Sequence, residues 1–264
     1  MTFLPAAKPT ALTASTSSLH IGQVRVELMS LRQAVEEIVS TARLRRSLLV
    51  FTMNTQHLAL LEADPHFAEA YSKAGLVLPD GWPILAMARI QGKRGQGRVT
   101  GADLLPRIAA RADAGLRIGI SGAGPGVAEL AASALRQANA NLEIVAQAPP
   151  IGFEFSPFEV SRVQELAKQV DVLFLAYGSP KQEIFAARYL AGTPCVIIGC
   201  GAAVDFVAGV QRRASRIWQF LGLEWLRRLM KDPGRLSGRY RAAGIAFVRY
   251  GIPMAFRDRE RLVP

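Results

Sequence analysis

Along the first 210 residues, short unbroken apolar runs alternate with longer stretches in which apolar side chains return every third or fourth position. The runs at 24–28, 47–53, 76–78, 117–121, 142–146, 172–176 and 195–198 predict strands. Those at 47–53, 76–78, 172–176 and 195–198 are rich in Val, Ile and Leu and lack the polar alternation of a half-exposed sheet, so they fit strands covered on both faces. The periodic stretches at 31–44, 56–62, 65–74, 82–90, 104–114, 127–137, 157–168 and 180–190 predict helices whose apolar stripe faces that sheet. Strand and helix taking turns imply an α/β fold, a mostly parallel Rossmann-like sheet with helices on both faces. After Val210 the strand signals stop, and the remainder predicts two or three short helices punctuated by Gly222 and by Pro233-Gly234.

Charge divides the chain at the same point. Residues 211–264 hold twelve Arg and one Lys against four acids (Glu224, Asp232, Asp258, Glu260), so this segment carries nine of the eleven formal positive charges. Charge so localised marks a surface for phosphates or an anionic membrane, because a general solubility charge would be spread along the chain. With 264 residues, half of them apolar, the chain can bury a full core, which excludes disorder as its main state. Cys195 and Cys200 sit in an apolar run and read as small buried hydrophobes in a reducing compartment. Residues 1–20, rich in Ala, Ser, Thr and Pro, read as a flexible leader without the basic start and apolar core of a secretory signal, which places the protein in the cytoplasm. The most apolar part of the tail, 242–256, is interrupted by Arg249, Gly251 and Pro253 and falls short of the roughly 20 residues a span needs. It suits lying on a bilayer and not crossing one.

In a parallel sheet ligands bind beyond the carboxyl ends of the strands, so residues immediately after strands carry the functional expectation. Four such exits collect polar groups: Thr52 with Asn54; Pro79-Asp80-Gly81; the glycine-rich Gly122-Ala123-Gly124-Pro125-Gly126; and Gly178-Ser179-Pro180-Lys181-Gln182-Glu183. Each also has a structural explanation. Pro79-Asp80-Gly81 has the composition of a β-turn, Asn54 fits a helix cap, and Ser179 with Gln182 three residues on fits a capping box with Pro180 at the first helical position. The glycine cluster lacks the third glycine of a dinucleotide fingerprint, and the next strand ends in Gln147 and Ala148 where a ribose-binding acid would stand. The body has no Asp-x-Asp, and His20, His57 and His66 have no metal-ligand spacing, so no metal and no other cofactor is expected. Phosphates would then be met by arginines: Arg98 beside Thr100-Gly101-Ala102-Asp103, or the tail. By itself Arg98 reads rather as a solvated loop charge next to Lys93 and Arg94.

Six motifs in order, Thr52-Met53-Asn54, Leu78-Pro79-Asp80-Gly81, Arg98-Val99-Thr100-Gly101-Ala102-Asp103-Leu104, Gly178-Ser179-Pro180-Lys181-Gln182-Glu183, Gly199-Cys200-Gly201-Ala202-Ala203-Val204-Asp205-Phe206 and Leu221-Gly222-Leu223-Glu224-Trp225-Leu226, give the chain a resemblance over about residues 21–241 to the WecG/TagA/CpsF family of bacterial glycosyltransferases. The resemblance implies a metal-independent, inverting transferase that moves a hexose or N-acetylhexosamine-type sugar from a UDP-sugar to a polyprenyl-diphosphate-linked saccharide in cell-envelope or exopolysaccharide synthesis. It implies Asp80 as the catalytic base, Thr52, Asn54, Arg98 and Gln182 as substrate-binding positions, and Arg228, Arg235 and Arg239 as tail arginines that complete the site. With the composition and charge boundaries above, the chain divides into the leader (1–20), an α/β catalytic domain (21–210) and a basic helical appendage (211–264), which the resemblance implies docks on the inner face of the cytoplasmic membrane. A homo-oligomer is compatible with it. Gly238 and Cys200 depart from the residues usual in the family.

The residues agree with this chemistry. Inversion in one displacement needs a carboxylate for the acceptor proton and cationic groups for the departing diphosphate. Arg235 and Arg239, like Arg212 and Arg216, are four residues apart and share a helix face. A nucleic-acid-binding protein that uses the basic tail is the alternative from another class. It has no recognition-helix signature and leaves the carboxylate and amide positions without a role, so nucleic acid is not the expected partner. A nucleotide-dependent oxidoreductase is disfavoured by the incomplete glycine fingerprint.

Overall fold

The computed structural model of the chain describes residues 17–111, 115–213, 218, 226, 229–230 and 233–257, without the side chains of 235, 236, 239 and 252–257. Six strands form one parallel sheet: β3 (Leu48–Met53), β4 (Leu76–Pro79), β5 (Arg117–Gly122), β6 (Glu143–Gln147), β7 (Val172–Ala176) and β8 (Val196–Gly199), in the order β4-β3-β8-β7-β5-β6. Every residue of β3, β4, β7 and β8 is buried, as expected of parallel strands covered on both faces. Alternate residues feed two cores. Leu48, Val50, Leu78, Phe174 and Ile198 face helices α1 (Leu31–Arg43), α5 (Gly101–Ala109), α6 (Val127–Ala138) and α9 (Ala203–Val207). Leu49, Phe51, Val77, Leu173 and Ile197 face α2 (Thr55–Ala63), α3 (Pro65–Ser72), α4 (Trp82–Ile90), α7 (Pro157–Gln169) and α8 (Lys181–Phe185), which continues as a wider π turn over Ala186–Leu190.

The fold corrects the sequence reading at three places. The stretch assigned to a leader ends in a strand: β1 (Ser18–Ile21) pairs with β2 (Val24–Glu27) across a turn at Gly22, whose φ of 58° suits glycine, and Leu19 and Ile21 enter the second core. The helix expected from residue 104 begins at Gly101, because the Thr100 side chain caps it by accepting from the Asp103 N–H. In the tail, Pro233-Gly234 opens a helix instead of interrupting one. α10 (Pro233–Arg257) runs 25 residues through Gly238, Gly244, Gly251 and Pro253. It packs on α2 and α4, burying Ala243 and Ala246; Phe247 meets Trp82 with ring centroids 6.1 Å apart, and Arg249 pairs with Glu62 at 2.8 Å. No helix among the described residues is long and apolar enough to cross a membrane.

Candidate active site

All six parallel strands end on one edge, so the exits singled out in the sequence share a rim. Adjacent exits are tied together by backbone hydrogen bonds. In the register of β3 and β4, Thr52 pairs with Leu78 and Met53 with Pro79, which brings Asn54 level with Asp80. The Asp80 N–H donates to the Met53 carbonyl at 2.8 Å, and the Val99 N–H donates to the Pro79 carbonyl at 2.8 Å. Asp80 is thus held half-buried between the end of β3 and the segment that carries Arg98. Arg98 is also half-buried, and its charge helps to hold down the Asp103 carboxyl, so it is part of a folded cluster and not a freely solvated loop charge.

The start of α5 closes against β8. A Cβ on Gly101 would stand 2.6 Å from the Cys200 Cα and 2.9 Å from its carbonyl oxygen, a distance only glycine permits. Cys200 and Cys195 are free and buried, and burial pushes both thiols well above their ordinary value. From the β7 exit, Gln182 reaches the same place: its Oε1 accepts the Gly201 N–H at 3.0 Å, and its Nε2 donates to Glu183 Oε1 at 2.8 Å. The capping box expected of Ser179 and Gln182 does not form: α8 starts at Lys181, so Pro180 takes the cap position, which has no side-chain cap. Gln182 instead fastens the β7 and β8 exits together.

Glu183, Asp205 and Asp80 bring carboxyl groups to the rim. Glu183 is 1% exposed, with Oε2 buried and unpartnered among the described residues; burial raises this carboxyl, and the Gln182 N–H opposes the shift only in part. Asp205, half-buried on α9, is likewise raised by burial. Asp80 is the carboxylate at the meeting point of the β3, β4 and Arg98 segments. Thr52 is 7% exposed inside β3, one layer beneath the rim, and Asn54 Oδ1 caps α2 by accepting from the Gln56 and His57 N–H groups at 2.9 and 3.3 Å. The cap leaves the Asn54 amide N–H groups for other partners.

Two features were not legible in the sequence. Arg213, at the start of the tail, donates Nη1 to Asp103 Oδ1 at 2.7 Å, and Thr100 Oγ1 donates to Asp103 Oδ2 at 2.7 Å. Burial would raise this carboxyl, but the two donors and the nearby arginines outweigh it and hold it low. At the other end of the rim, Tyr177 and Ser121 share a 2.6 Å hydrogen bond beside Gln147. The glycine run there has a packing explanation: a Cβ on Gly122 would lie 2.8 Å from the Ala176 backbone.

Of the tail arginines, Arg228 lies outside the described residues. Arg235 and Arg239 stand on α10, with side chains outside the described ones. Among the described residues no group of three His, Cys, Asp or Glu side chains is arranged to hold a metal ion. Compared with known families, residues 19–261 match the family model described as Glycosyl transferase WecG/TagA/CpsF family.

Proposed function

The chain belongs to the WecG/TagA/CpsF family of glycosyl transferases of cell-envelope polysaccharide synthesis, and from that premise we propose that it transfers a hexose or N-acetylhexosamine-type sugar from a UDP-sugar to a polyprenyl-diphosphate-linked saccharide with inversion. Asp80 takes the proton of the acceptor hydroxyl as its oxygen bonds to the anomeric carbon. The bond to the diphosphate breaks on the opposite face, and its electron pair leaves with UDP. Arg98 and the tail residues Arg228, Arg235 and Arg239 balance the charge on the departing diphosphate, a task in which planar bidentate donors replace a divalent metal. Asn54 orients the sugar, Thr52 supports it from below, and Gln182 fixes the rim on the β7 side while keeping one amide N–H for substrate.

The observation that carries this reading is the position of Asp80, a half-buried carboxylate fixed by backbone bonds on both sides, beside Asn54 and the Arg98 segment. The docking of Phe247 on Trp82, two residues after Asp80, supports a tail that contributes to the site. The outer face of α10, where Ile245 and Val248 are exposed between Arg241 and Arg249, supports peripheral contact with the inner face of the cytoplasmic membrane. A panel of UDP-sugars assayed for transfer to polyprenyl-diphosphate-linked acceptors tests the proposal. Transfer with an inverted anomeric centre is expected from one of them, and failure with all, alongside salt-sensitive binding to duplex DNA, would favour the nucleic-acid alternative.

A further inference from the structure

Between β6 and α7 the chain shows three large apolar side chains to solvent. Ile151, Phe155 and Phe158 are 104%, 86% and 70% exposed, a density that no other eight-residue segment among the described residues reaches. Burial normally claims such side chains, and a cluster of them marks an interaction surface.

The segment is built to hold them out. Phe153, between them in sequence, is 4% exposed and packs on Tyr177 and Phe185 with ring centroids 4.6 and 5.1 Å away. Phe153–Phe155 forms a 3-10 turn, and Glu154 is tied to Lys181 at 2.7 Å. Pro149, Pro150 and Pro157 restrict the flanking backbone. The turn therefore presents its apolar tips from an anchored base, beside the exit that carries Gln182.

Its place indicates what covers it. The turn leaves the carboxyl end of β6 and so rises from the rim that holds Asp80, and Phe153 belongs to the core on the sheet face that α10 also covers. In strand order β6 is at one edge, while α10 packs over the helices that follow β3 and β4 at the other. Five strand spacings of about 4.8 Å separate the two edges by about 24 Å. The acids of the turn are neutralised locally, Glu154 by Lys181 and Glu159 by Arg162 at 3.1 Å, so neither stands as an unpaired charge against an anionic surface.

We propose that Ile151, Phe155 and Phe158 insert into the interfacial layer of the bilayer. They form a second, apolar foothold across the rim from the basic tail, so that the enzyme straddles the membrane-bound acceptor. This rests on the lipid-linked acceptor of the proposed function. Arginines bind an anionic surface reversibly and salt-dependently, whereas inserted apolar side chains fix depth and tilt and resist salt.

The test uses the full chain carrying Phe155→Cys, labelled with an environment-sensitive dye; both native cysteines are buried, which directs the label to the turn. Vesicles of phosphatidylethanolamine and phosphatidylglycerol should shift the emission to the blue, and brominated acyl chains should quench it. The triple variant Ile151→Ser, Phe155→Ser, Phe158→Ser should bind these vesicles at least tenfold more weakly at high salt, where the charges of the tail are screened, with unchanged circular dichroism and unchanged transfer to a water-soluble acceptor. Vesicle binding by the labelled chain without a blue shift would overturn the insertion and leave the tail as the sole contact. A concentration-dependent blue shift without vesicles would assign the turn to a second copy of the chain and overturn it equally. Absence of any vesicle binding by the unmodified chain would instead overturn the membrane reading beneath it.

Discussion

Replacing Asp103 by alanine cuts an ion pair between the start of the tail and the α5 side of the rim. The carboxylate accepts from Arg213 Nη1 and Nη2 at 2.7 and 3.3 Å and from Thr100 Oγ1 at 2.7 Å, and it is the acid in the first turn of α5. The two charged side chains are 24% and 22% exposed, so the pair falls between exposed pairs, worth about 0.5 kcal/mol, and buried ones, whose rupture costs about 3–5 kcal/mol. With roughly 0.3–1 kcal/mol from the helix dipole, the loss comes to about 2–3 kcal/mol, or roughly 4–12 °C in Tm for a chain of this size. The pH dependence has a definite sign. The folded carboxyl is held below its unfolded value, so its stabilisation is present above the ordinary aspartate range and fades as pH falls through the folded value. Melting curves followed by circular dichroism should therefore separate the variant from the parent at neutral pH and converge in acid. A gap below about 0.5 kcal/mol at neutral pH, or one that widens in acid, would refute the argument.

Gly101→Ala should lower transfer activity and cost about 1–3 kcal/mol, because the new Cβ meets the Cys200 backbone and must displace the segment that carries Arg98; thermal melts with steady-state rates check it, and unchanged values would contradict the close packing. Glu183→Gln keeps an acceptor for Gln182 Nε2 but removes a carboxyl that burial holds above its unfolded value, so the native glutamate contributes stability below that value and loses it as pH rises. The variant should gain in Tm over the parent as pH rises above the ordinary glutamate range, and a gain confined to acid would reverse the assignment. Transfer should persist in excess EDTA, since arginines take the role of the metal; loss restored by Mg²⁺ or Mn²⁺ would reject that part of the proposal.

The central sheet was legible because β3, β4, β7 and β8 are continuous apolar runs, a pattern set by burial on both faces. β1 was not, since Ser18-Leu19-His20-Ile21 alternates inward and outward within an Ala/Ser/Thr-rich stretch and gains its identity only by pairing with β2. α10 was misjudged for a related reason. Its glycines and Pro253 oppose a helix by propensity, and tertiary packing of Ala243 and Ala246 on α2 and α4 outweighs them. Strand exits put Asn54, Asp80 and Gln182 on one rim, as the parallel sheet does, whereas Arg98 was singled out by its place beside Thr100-Gly101-Ala102-Asp103 and by the family resemblance. What joins them, the Val99 bond to Pro79, the Gln182 bond to Gly201 and the Arg213 pair with Asp103, depends on the order β4-β3-β8-β7, which periodicity along a chain does not encode.

The most direct test of the account is the turnover of Asp80→Asn with donor binding measured in parallel. Asparagine keeps the size of the side chain and the backbone bond to Met53 but cannot take the acceptor proton. Transfer should therefore fall by about 10² to 10⁴, the usual worth of a general base, while UDP-sugar binding and Tm stay near those of the parent. Near-normal turnover with donor binding intact would contradict the assignment of Asp80 as the base, and the half-buried, raised carboxyl of Asp205 would then be the group to replace next.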